Sequence, residues 1–177
     1  MVCRHKQVKN NMLKLTHLDD SGTARMVNVG QKPVTSRIAI AQAIVHVSPE
    51  TLALLLEGNL PKGDAFGCAR IGAILAAKRT PELIPLCHSL PLSFMDINFE
   101  VLETPPSIRI LAQAQCQGKT GVEMEAITGA QTAAAIIYDM AKAVQKDITI
   151  TDVRLLYKNG GKSGEYIAQG FARPILP

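Results

Sequence analysis

The stretch from about Val122 to Lys146 carries acids and lysines at helical intervals, and chemistry is sought there first. Ile127, Ala130, Ala134, Ile137, Ala141 and Val144 recur every three or four positions, which predicts one face against a core. A second stripe, Glu125, Thr128, Thr132, Ala135, Asp139, Lys142 and Lys146, lies nearly opposite. A solvated face usually has more long charged side chains. Small Thr and Ala admit another backbone closely, so this side is expected to be covered too, by a second subunit. Asp139 and Lys142, one turn apart, suit general acid–base work. They equally suit a surface ion pair worth about a few tenths of a kcal/mol. Glu125 precedes Asp139 by fourteen residues, about 21 Å along a helix rising about 1.5 Å per residue. One small ligand is not expected to touch both. If both acids serve one site, different subunits of a symmetric oligomer must supply its two ends.

Other candidates are cations at turns. Gln117-Gly118-Lys119-Thr120-Gly121 stands between a predicted strand and the long helix, but Gln113 occupies the first-glycine slot of a phosphate loop. Gly161-Lys162-Ser163-Gly164 fails likewise, with Leu156 in that slot. Both segments still suit phosphate oxygens, through N–H groups of a glycine turn or a helix N-terminus, or are plain turns with solvated lysines. Lys62-Gly63-Asp64 puts a further lysine beside a helix start. Cys87 and His88 are adjacent, so in extended chain they point apart and form no thiol–imidazole dyad. His5, His17 and His46 have less context still, and Cys3, Cys68, Cys87 and Cys116 show no CxxC pairing, so no metal site is expected.

The elements that must hold these residues are readable. Thr35 to Val47 reads as a buried strand. Ser48-Pro49-Glu50 starts a short helix that Gly58-Asn59 ends, and Asp64 caps a second helix to about Lys78. Met95, Ile97, Phe99 and Val101 alternate with Asp96, Asn98 and Glu100, and Ile108, Ile110, Ala112, Ala114 and Cys116 with Arg109, Leu111, Gln113 and Gln115. Thr104-Pro105-Pro106-Ser107 separates the two runs, which predicts a hairpin. A last strand runs from about Thr149 to Tyr157. This βαββαβ order predicts a ferredoxin-like α+β sandwich, an antiparallel sheet with helices on one face.

The 177 residues are 47% hydrophobic and 19% charged, which fits one globular domain. Residues 1–14 read as a flexible N-terminal arm, 15–166 as the domain and 167–177 as a C-terminal tail. A net charge of +4 excludes a polybasic nucleic-acid tail yet allows a local basic pocket for a small polyanion. No apolar run is long enough to span a membrane, and unpaired cysteines suit a reducing, cytoplasmic setting.

Longer segments now assemble. Leu15-Thr16-His17, Met26-Val27, Lys62-Gly63-Asp64, Ala76-Ala77-Lys78-Arg79-Thr80 and Leu83-Ile84-Pro85-Leu86-Cys87-His88 are followed by the run from Gly118 to Ala126. After these come Tyr138-Asp139-Met140, the run from Lys142 to Asp147, and Gly160-Gly161-Lys162-Ser163-Gly164. In order and spacing, from about Leu15 to Tyr166, they resemble the molybdenum cofactor biosynthesis protein C family. The resemblance implies a ferredoxin-like subunit in a homohexamer, a trimer of dimers with active sites between subunits. It implies a phosphorus–oxygen lyase that turns 3′,8-cyclo-7,8-dihydroguanosine triphosphate into cyclic pyranopterin monophosphate and pyrophosphate. Asp139 matches the catalytic aspartate and Lys142 its partner. Leu86, Cys87, His88, Met124 and Glu125 match substrate-contacting stretches, and Lys62, Glu123, Lys158 and Arg37 further site positions. Lys62, Lys119, Lys158 and His88 are candidates for steadying departing pyrophosphate. No cofactor is required, and Mg2+ travelling with the triphosphate is allowed. Asn28 replaces an expected aspartate and Ser89 a common proline. Two rivals are a ferredoxin-like RNA-binding or regulatory module, which needs exposed aromatics on the central strands, and a nucleotide kinase, weakened by the failed phosphate-loop matches.

Overall fold

The computed structural model describes Leu18 and residues 21–174. The expected arm 1–14 and Leu15-Thr16-His17 lie outside the described residues, as do the last three residues of the tail.

Five strands form one antiparallel sheet in the order β2-β3-β1-β4-β5. They are β1 (Thr35–His46), β2 (Leu92–Glu103), β3 (Pro106–Gly118), β4 (Thr149–Asn159) and β5 (Tyr166–Ile167). The first four reproduce the expected ferredoxin-like arrangement. β5, unforeseen, pairs Tyr157 with Ile167 and Lys158 with Tyr166, so it crosses the expected domain–tail boundary. Ala168 just beyond it is buried against Leu156 and Tyr157.

The helices α1 (Pro49–Glu57), α2 (Ala65–Lys78), α3 (Thr80–Leu83) and α4 (Glu123–Ala141) complete the fold. Their starts follow local chemistry. The Ser48 hydroxyl accepts the Thr51 N–H, and the Asp64 carboxylate accepts that of Gly67, each satisfying a first-turn donor. Gly58 ends α1 with φ at 70°, a left-handed conformation that favours glycine. The inner face of the sheet is built from small residues. Ala39, Ala41 and Ala43 of β1 and Ala112 and Ala114 of β3 are fully buried, as are Ala69 and Ala73 of α2 and Ala126, Ala130 and Ala134 of α4. Without bulk on either side, α2 and α4 pack closely on the strands and on each other. Ile97, Ile110 and Ile137 fill what remains, each contributing roughly 2 kcal/mol by leaving water.

α4 stops at Ala141, five residues before the expected Lys146. Val144 and Gln145 N–H groups both bond back to the Ala141 carbonyl, tightening the chain into turns. The Gln145 side chain is taken by the Ser48 N–H. Val144 is therefore exposed instead of joining the core face, and Ile127 is only half-buried.

On the helix-free face, Gln42 is buried and fully engaged. Its amide nitrogen donates to Asp152, and its oxygen accepts from Arg109 Nε at 3.0 Å. Asp152 sits at an irregularity between β4 and β1 with φ at 51°, and its other oxygen pairs with Arg154 at 3.1 Å.

Candidate active site

The candidate residues form two groups, one at each end of α4. At its C-terminal end the Asp139 carboxylate lies between two ammonium groups. Lys142 Nζ is 2.6 Å from Oδ1, and Lys62 Nζ is 2.7 Å from Oδ2. Lys62 arrives from the turn before α2 and also donates to the Asp139 carbonyl at 2.9 Å. Gly63, with φ at 87°, and the Asp64 cap fix where that turn meets the helix. Hydrogen bonds from Lys142 and then Lys62 hold the Asp139 carboxyl down to about 2, and Asp139 raises Lys142 in return. All three side chains remain about half exposed.

The N-terminal end is enclosed. Antiparallel pairing brings the start of β1 between the ends of β3 and β4, with Arg37 opposite Cys116 and Ala39 opposite Lys158. Arg37, Lys119, Lys158 and Lys162 therefore line one cleft of about 590 Å³, together with Glu123 and Gly161. Lys158 pairs with Glu123 at 3.0 Å and donates to Ser163. α4 begins there without a side-chain cap, so its first-turn N–H groups add to the anion-friendly field.

Glu123 also borders a neighbouring cavity of about 270 Å³, which holds Leu86, Cys87, His88, Met124 and Glu125. Glu125 is only 3% exposed. Burial, with a smaller contribution from Glu123, raises its carboxyl to about 7, so near neutral pH it both accepts and releases a proton. Burial and then Glu125 also push the Cys87 and Cys116 thiols up, away from thiolate character.

Thus Arg37, Leu86, Cys87, His88, Lys119, Glu123, Met124, Glu125 and Lys158 gather at one end, while Lys62, Asp139 and Lys142 meet at the other and line neither cavity. Sequence reasoning missed Lys32, which borders both cavities. Its only signal was its place in the turn Gly30-Gln31-Lys32-Pro33. Among the described residues no three His, Cys, Asp or Glu side chains cluster to hold a metal ion, and no helix is long and apolar enough to cross a membrane.

Fold and site together define a class: a ferredoxin-like enzyme subunit whose cation-lined cleft opens beside a buried carboxyl able to hold a proton. Comparison with known proteins narrows it. The MoaC family model matches residues 26–161. A cyclic pyranopterin monophosphate synthase of Desulfovibrio desulfuricans is 61% identical over 86% of this chain and 94% of its own. Proteins of the same name from Nitratidesulfovibrio vulgaris and Chloroflexus aurantiacus are 56% and 53% identical, covering 87% and 86% of this chain and 96% and 94% of theirs. The chain belongs to the MoaC family.

Proposed function

We propose that this chain converts 3′,8-cyclo-7,8-dihydroguanosine triphosphate to cyclic pyranopterin monophosphate and pyrophosphate, the lyase step its relatives are named for in molybdenum cofactor biosynthesis. One observation carries the reading: a cleft of lysines and an arginine runs, across Glu123, into a cavity holding a carboxyl poised near neutrality. That is the arrangement a reaction needs when it moves protons on one part of a molecule and expels a polyphosphate from another.

In this reading Arg37, Lys119, Lys158 and the α4 N-terminus hold the triphosphate, and the rearranging ring system faces His88, Cys87, Met124 and Glu125. When the cyclic phosphate closes, a substrate hydroxyl oxygen forms a bond to phosphorus, its proton passes to a base, and the bond to pyrophosphate breaks. The developing charge on pyrophosphate is met by the ammonium groups. Glu125 suits the proton transfers because its two forms are nearly equal in free energy near neutral pH. Asp139, ionised well below neutrality, favours the charged form of Lys142 and aims both Lys142 and Lys62; Lys142 is then the proton donor of the pair.

The two groups act together only if subunits combine. A two-fold axis near Thr132, midway between Glu125 and Asp139, sets the α4 helices antiparallel and lays one chain's Asp139–Lys142 pair beside its partner's Glu125 cavity. The small outward residues Thr128, Thr132 and Ala135 permit that approach, and Ile71 and Leu75 of α2 lie exposed on the helix layer beside it. A homohexamer built as a trimer of such dimers, in the cytoplasm, is the assembly this reading adopts. It requires no resident cofactor and allows Mg2+ on the triphosphate. Neither nucleic acid nor membrane is a partner. Neither central strand, β1 or β3, carries a Phe, Tyr or Trp on which a base could stack.

The test is direct: purified chain is incubated with the cyclised triphosphate. Pterin product and pyrophosphate in equal amounts support the reading, and unchanged substrate contradicts it.

A further inference from the structure

The segment between the domain's first residues and β1 reaches into the site. Val27, Val29 and Lys32 form part of the wall of the cavity that holds His88 and Glu125. Two of its backbone carbonyls engage candidate site side chains from other segments. His88 Nε2 lies 2.8 Å from the Val27 carbonyl oxygen, and Lys119 Nζ donates to the Gly30 carbonyl at 2.6 Å. A carbonyl only accepts, so the bond requires the proton on Nε2. The neutral imidazole then keeps its lone pair on Nδ1. Lys119 spends one of three N–H donors on Gly30 and keeps two for an anion.

What holds those carbonyls in place is a small turn. The Lys32 N–H donates to the Val29 carbonyl at 3.0 Å, and the Asn28 side-chain oxygen accepts the Gly30 N–H at 2.8 Å. The second bond ties the arm carrying Val27 to the corner carrying Gly30. It asks only for an acceptor at that reach, which a carboxylate supplies as well. An asparagine in place of the expected aspartate therefore leaves the turn intact.

We propose that Asn28 is a positioning residue: through the carbonyls of Val27 and Gly30 it fixes His88 as the Nε2–H tautomer and aims Lys119 at the substrate's anionic oxygens. Asn28 itself touches no reacting atom. The kinetic part of this inference rests on the functional reading above; the tautomer part does not.

The experiment compares the full wild-type chain with Asn28→Ala, Asn28→Leu and Asn28→Asp. Long-range 1H–15N spectra, recorded without substrate, give the His88 tautomer, its signals assigned by their loss in His88→Gln. Steady-state rates with the cyclised guanosine triphosphate give KM and kcat. The wild type is expected to show Nε2–H at His88. Asn28→Ala and the similarly sized Asn28→Leu lose the single tautomer and raise KM about fivefold, the scale of one hydrogen bond, with little change in kcat. Asn28→Asp restores both. An Nδ1–H tautomer in the wild type overturns the proposal. So does an unaltered tautomer in a folded Ala or Leu variant, or a defect that Asn28→Asp fails to rescue. Should the wild-type chain not turn over the nucleotide, the functional reading falls, and the tautomer comparison still decides the role of Asn28.

Discussion

The two ends of α4 each present a carboxylate, and their surroundings drive the two in opposite directions. Asp139, half exposed and flanked by Lys142 and Lys62, is held down to about 2. Glu125, almost fully buried and with no cation paired to it among the described residues, is raised to about 7. One helix thus offers a permanently charged group that organises lysines and a second group that changes charge near neutrality. The difference shows that position on a shared scaffold, more than residue type, decides which acid stays charged and which changes charge near neutral pH.

Removing the charge at the Asp139 end should have the largest effect. Asp139→Asn is expected to lower turnover about a hundredfold or more while the thermal midpoint barely moves, because the side chain is half exposed. Wild-type turnover in that variant would break the comparison at its first term.

At the other end, Glu125→Gln should also lower turnover about a hundredfold, and it should change how stability depends on pH. The folded chain holds the Glu125 proton more tightly than the unfolded chain, so this group's stabilising contribution is full below the ordinary carboxylate range. It is lost as pH rises through about 7. Glu125→Gln should therefore be more stable than wild type at pH 8, by on the order of 2 kcal/mol, with the advantage shrinking toward pH 5. Urea unfolding at the two pH values reads this. An equal difference at both would mean that the carboxyl is not held protonated by burial.

The lysines of the cleft give a smaller effect of another kind. If Lys158 holds the triphosphate as proposed, Lys158→Met is expected to raise KM about tenfold, with a lesser change in kcat. A pure kcat effect would move Lys158 from holding the triphosphate to the chemistry. Smallest is Asp64→Ala, which removes the α2 cap that seats the Lys62 turn. It should cost about 1 kcal/mol of stability in thermal unfolding.

Much of this architecture was legible because its causes are local. The caps at Ser48 and Asp64 and the Gly58 stop lie within a few residues of what they control. The alternation from Met95 to Phe99 and from Ile108 to Cys116 records burial on one sheet face, whereas Val101 at the end of the first run is exposed. What escaped depends on distant partners. The early end of α4 answers to Ser48, which captures Gln145 from nearly a hundred positions away in the chain. β5 exists because Tyr166 and Ile167 find the edge of β4. Asp152 adopts its unusual backbone where Gln42 and Arg154 engage its carboxylate. In the candidate site, long motifs picked out the residues, and helix spacing showed that Glu125 and Asp139 stand far apart. The raised Glu125 carboxyl was not legible, since it arises from the packing around the β3–α4 junction. Nor was the bond from His88 to Val27, which joins segments 61 residues apart.

The most direct test of a site assembled from both helix ends is subunit mixing. Asp139→Asn and Glu125→Gln chains, each inactive alone, are dissociated, combined in equal amounts and reassembled, with mixed oligomers verified by mass. If subunits share sites, a mixed dimer holds one intact site and one doubly altered site, so roughly a quarter of wild-type activity returns. Mixed oligomers with no activity would place both acids in the same chain's site and contradict the account.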